Sequence, residues 1–101
     1  MKKITIEGKF TGPVNNYVIV DVFRSNALPN PYDFRKVYTG NFKETLKDLE
    51  DDSLYTIDFS GFTTGTFNLT ITGDFNKPTP PITGSYSNTS FSPGYAIKTT
   101  K

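Results

Sequence analysis

Residues 66–72, Thr66-Phe67-Asn68-Leu69-Thr70-Ile71-Thr72, alternate polar and apolar side chains without a break, and Gly65 and Gly73 close the stretch at both ends. Period two is the geometry of a strand with one buried and one wet face. Threonine suits the pleated outer surface. The same pattern recurs along the chain. Lys3 to Phe10 sets Ile4, Ile6 and Phe10 against Thr5, Glu7 and Lys9. Tyr17 to Phe23 offers two faces, and because a buried carboxylate is costly, Asp21 turns Val18, Val20 and Val22 inward. Leu54 to Phe59 points Tyr55, Ile57 and Phe59 inward, while Phe34–Thr39, Ile82–Ser87 and Tyr95–Thr100 complete the short strands.

Turn signals separate these runs. Gly12-Pro13 with Asn15-Asn16 marks one loop, residues 24–32 with Pro29 and Pro31 another, and Ser60-Gly61 with Thr64-Gly65 brackets a turn. Pro78, Pro80 and Pro81 bar a central strand, so 74–81 reads as a crossing or a rim. One segment is ambiguous. Phe42, Thr45, Leu46 and Leu49 have helical spacing, and Asn41 with Glu44 imitates a capping box. A short helix near 42–49 competes with a strand that forms a hairpin with 54–59. The strand is preferred, because so short a helix is marginal alone.

At 101 residues the chain has room for one domain, 1–101, and 15% aromatic content supplies its core despite 35% hydrophobic residues. A net charge of +1, with neither sign in a broad block, lacks the basic stripe of a nucleic-acid binder. No apolar run reaches transmembrane length, so no membrane insertion is expected. The chain has no histidine and no cysteine, which removes disulfides and the commonest catalytic and metal-binding side chains. Met1-Lys2-Lys3-Ile4-Thr5-Ile6-Glu7 lacks the apolar region of a signal peptide.

The order of signals from Thr39 to Gly73 resembles the prealbumin-like repeat of carboxypeptidase-regulatory and collagen-adhesin B-type domains. Gly40-Asn41-Phe42, then Leu46 and Leu49, then Leu54-Tyr55-Thr56-Ile57 and Ser60-Gly61-Phe62 carry it, with Tyr17–Phe23 in place of the "Val-x-Val" strand. The resemblance implies a seven-stranded sandwich acting as an accessory, adhesive or stalk module of a larger secreted or surface protein. The lysine–asparagine cross-link of many adhesin B-type domains is not expected, because Tyr95–Thr100 contains no asparagine. The expected fold is therefore all-β, a single sandwich of about seven strands, prealbumin-like or immunoglobulin-like.

Chemistry is sparse. Asp48, Glu50, Asp51 and Asp52 lack calcium-loop spacing and read as a solvated turn. Glu7, Asp21 and Asp58 fall on outward positions and supply no acid–base pair, so no enzyme activity, metal or cofactor is expected. Tyr32, Phe75 and Phe91 lie in loops and are hard to bury by pattern; they either cap the sandwich or contact a ligand. The candidate site is the 24–38 segment, with Tyr32 and Phe34 as apolar platforms and Arg24, Asn30 and Asp33 as hydrogen-bonding groups. The expected role is a non-catalytic binding or structural module in the periplasm or at the cell surface, with the cytoplasm as alternative. It would engage a protein or glycan through loops, or its own copies through strand edges. The competing readings are a carbohydrate-binding module and a phage or secretion-system subunit.

Overall fold

The computed structural model describes residues 1–12, 15–24 and 33–101. They form β1 (Lys2–Thr11), β2 (Asn16–Arg24), β3 (Asp33–Tyr38), β4 (Phe42–Leu49), β5 (Leu54–Gly73), β6 (Phe75–Lys77), β7 (Ile82–Phe91) and β8 (Gly94–Thr99). All pairings are antiparallel and join the strands into one sheet, curled into a half-barrel.

β5 organises the molecule. Along one edge its residues 55–63 pair with β2 and 66–73 with β1; along the other, 54–58 pair with β8 and 61–71 with β7. β3 and β4 lie end to end outside β2 and β1. The expected turn at Ser60–Gly65 is absent. Its glycines instead lie inside one strand of 20 residues. Such a strand would run about 66 Å if straight, yet the longest dimension of the molecule is 42 Å. β5 therefore bends, and its neighbours break at the same level: β1 gives way to β2, β3 to β4, and β7 to β8. Asn41 Oδ1 accepts from the Phe10 amide at 2.6 Å, and Asn16 Oδ1 accepts from Thr63 Oγ1 at 2.6 Å along this crease. Beyond it the halves close on each other. Asp74 N donates to Lys3 O at 2.9 Å, Thr100 N to Asp74 O at 3.0 Å, and β6 pairs with β8.

One core fills the curl. Ile4 and Ile6, Val18, Val20 and Val22, and the β5 positions Tyr55, Ile57, Phe59, Phe67, Leu69 and Ile71 are all buried, as alternation predicts. Phe75 and Phe91 join them, so these two aromatics are core; Tyr32 lies outside the described residues.

Residues 42–49 are strand, not helix. Their partner is β1, however, and not the 54–59 segment, so the expected hairpin does not form. Leu46 and Leu49 both point inward although three apart, because Asp48 adopts φ 65° and the register against β1 shifts there. A β-bulge thus produced the helix-like spacing.

The acidic turn after β4 is held by Thr99, which is 1% exposed. Its hydroxyl donates to Glu50 O at 2.7 Å and accepts from Ser53 N at 2.8 Å, while Glu50 N donates to the Tyr55 hydroxyl at 2.8 Å. Asp52 pairs with Lys98 at 3.4 Å. Thr99→Val keeps the shape and orphans two backbone groups, so denaturant unfolding should show a loss of about 1–3 kcal/mol. An unchanged midpoint would mean that water replaces the hydroxyl.

Candidate functional site

Of the five expected site residues, Asn30 and Tyr32 lie outside the described residues. Arg24, Asp33 and Phe34 sit together where β2 ends and β3 begins, in the register Val22–Phe34 and Phe23–Asp33. Arg24 Nη2 donates to Ser53 Oγ at 3.0 Å, and its guanidinium lies 6.0 Å from the Tyr55 ring centroid. Phe34 packs against the core. Asp33 is exposed, so it is the group of the three most open to solvent.

Alternation missed a different surface, because it assigns polar character to outward positions. With the valines of β2 inward, Tyr17, Ile19, Asp21 and Phe23 face out; Val37 lies beside Ile19, and Phe62 beside Tyr17. Tyr17 and Phe62 meet edge to face with centroids 4.9 Å apart. Val37 is 57% exposed and Tyr17 38%. Tyr17, Ile19, Val37 and Phe62 thus form an apolar cluster on the outer surface of the β3–β2–β5 half. Asp21 stands between Arg35 and Asp58 in the next row, on an open sheet face and not in a cleft. The signal for this cluster was in the rejected face of 17–23, where three of four residues are apolar.

The outer surface of the other half is different. Thr5, Glu7 and Lys9 of β1, Thr66, Asn68, Thr70 and Thr72 of β5, and Thr83, Ser85 and Ser87 of β7 face outward in register. Hydroxyls pair across strands at 3.2 Å between Thr66 and Ser87 and between Thr5 and Thr45. At the closed end, Asp52, Asn76, Lys77, Lys98 and Lys101 line a shallow depression of about 370 Å³. Among the described residues no group of three or more carboxylates is placed to hold a metal ion.

Two tyrosines are electrostatically perturbed. Burial, then the hydrogen bond and charge of Tyr86, pushes the Tyr95 phenol up to about 12. Burial also raises Tyr38 far above its ordinary value, with Glu44 adding to the shift. The buried Tyr38 hydroxyl makes no well-formed hydrogen bond, and the neighbouring Glu44 carboxylate pairs with Lys36 at 3.2 Å. A folded-state pKa above the unfolded value, about 10, means that the native state holds the proton more tightly. This stabilisation is complete below pH 10 and is lost as pH rises toward the folded value. Thermal unfolding should therefore give a Tm that drops above pH 10, with a shallower drop in Tyr95→Phe. An identical alkaline profile for that variant would remove Tyr95 as a cause.

Comparison with protein-family models, with curated proteins and with solved structures finds no match. The prealbumin-like resemblance thus rests on the residues between Tyr17 and Gly73 alone.

Proposed function

We propose that this chain is a non-catalytic binding or structural module, of the sandwich-like kind that secreted and surface proteins use, and that it engages its partner through the outer surface of β2, β3 and β5. The observation that carries this reading is the Tyr17–Ile19–Val37–Phe62 cluster. Folding alone does not require it, since β2 and β5 already bury their other faces in the core, and contiguous exposed apolar area marks interaction sites. Aromatic anchors beside Asp21 and Arg35 give the apolar centre and polar rim typical of recognition surfaces.

A second reading has its own support. Among the described residues Tyr17 is the most exposed aromatic, it meets Phe62 edge to face, and sugar rings stack on such faces. Titrating labelled protein with soluble glucan, xylan and chitin oligosaccharides, and separately with proteins encoded beside it, distinguishes the two. Tyr17→Ala should weaken whichever interaction is real by about tenfold or more, as hot-spot aromatics do, while Tm stays near wild type. Binding that survives both Tyr17→Ala and Val37→Asp would overturn the proposed surface.

A further inference from the structure

Among the described residues the sheet leaves edges unpaired, and they are not alike. β3 carries Asp33, Arg35 and Lys36, and β4 carries Lys43, Glu44, Lys47 and Asp48. Charges of this kind are how natural edges discourage pairing with another chain. β7 has no such protection: from Pro78 to Ile97 no residue is charged, and no proline falls within β7. Its one interruption is Asn88, at φ 46°, beside the register shift against β5. Ile82–Ser87 is therefore an uncharged edge in unbroken register between Pro81 and the bulge. Among the described residues it pairs on one side only, with β5.

We infer that this edge pairs with β7 of a second copy of the chain, antiparallel, extending the sheet across a two-fold axis. Two observations select a second copy. An uncharged edge meets its own image without repulsion, whereas the charged β3 and β4 edges would place their ions against whatever pairs with them. The outward side chains of the edge, Thr83, Ser85 and Ser87, also extend a row of small polar side chains, since they stand beside Thr70, Asn68 and Thr66 of β5. Cross-strand Thr and Ser pairs are favourable in this geometry, and the exposed Thr66–Ser87 contact at 3.2 Å is one such pair between β7 and β5. Ser85 is the central outward residue of the segment. The axis then passes beside it, and Thr83 of one copy lies opposite Ser87 of the other. So short an edge belongs to the small, transient class of interfaces. This inference goes beyond the proposed function, because it does not depend on the Tyr17–Phe62 cluster.

The chain has no cysteine, so single cysteines report the pairing directly. Thr83→Cys, Ser85→Cys and Ser87→Cys replace exposed residues, and Thr72→Cys is an exposed control away from the edge. Directly opposed antiparallel residues come close enough for a disulfide. Under mild oxidation Ser85→Cys should cross-link to itself. Thr83→Cys mixed with Ser87→Cys should cross-link to each other far more than either does alone, with Thr72→Cys at background. Without oxidation, light scattering of the unmodified chain should rise from 11.3 kDa toward twice that mass with concentration. Ser85→Lys should shift the midpoint of that rise by about tenfold, since it sets like charges together at the axis. A mass fixed at 11.3 kDa at millimolar concentration would overturn the proposal. So would a cross-linking pattern in which Thr72→Cys matches Ser85→Cys, or the growth of filaments that Ser85→Lys does not affect.

Discussion

Phe67→Ala should lower the stability of the domain by about 3–5 kcal/mol, which for a domain of this size removes much of the margin between folded and unfolded. Phe67 is fully buried at the bend of β5. Its ring stacks on Phe91 with centroids 4.9 Å apart and meets Phe10 at 4.6 Å, so it joins β5 to β7 and β1 at once. Phe67 lies in β5, which is paired on both sides, and Phe10 in β1, which is held between β5 and β4, so the walls of the site cannot readily collapse into the space left. Urea unfolding followed by tyrosine fluorescence measures the loss. A midpoint equal to wild type would mean that Phe67 lies outside the core and that the register of β5 is displaced by one residue.

Gly61→Ala should be nearly as damaging, at about 3 kcal/mol, the upper end of what overpacking costs. A Cβ at Gly61 would run into the backbone carbonyl of Tyr17 and lie 2.8 Å from the Val18 Cα. Those atoms belong to β2 itself, so the clash cannot be relieved by rotating a side chain. Gly65 meets the backbone of Thr11 in the same way, which places the two closest approaches on either side of the passage from β1 to β2. Gly40→Ala is the control, because nothing lies within 4 Å of its added carbon. Equal stabilities for the two alanine variants would show that β2 does not press on β5 at the crease.

Much of this fold is legible in the sequence because burial follows period two almost everywhere. The inward faces of β1, β2 and β5 follow from Ile4 and Ile6, the three valines, and the odd-numbered residues from Tyr55 to Ile71. The failures share a cause, which is that bends and bulges use the same residues as turns. Gly61 and Gly65 look like punctuation between two strands, but here they let neighbouring backbones approach a single bent one. Asp48, by taking a left-handed conformation, moves Leu49 back to the inner face and imitates a helix. Phe75 and Phe91 sit among Pro, Ser and Asn, and only the closure of the two halves shows that they are interior. The outer cluster around Tyr17 escapes a period-two reading because alternation identifies which face of 17–23 is buried and not how apolar the other face is. Of the candidate loop, Arg24 and Phe34 turn out to be occupied with Ser53 and the core, interactions between distant segments that local patterns do not encode.

The central claim is that β5 is one continuous strand whose bend lets both halves of a single sheet close on one core. Native-state hydrogen exchange, read amide by amide by NMR, tests it most directly. If β5 is unbroken, paired amides from Tyr55 to Ile71 should exchange at the rate of global unfolding, including those flanking Gly61 and Gly65. Fast exchange confined to 60–65, with the segments on either side opening independently, would contradict the claim and restore a turn between two separate strands.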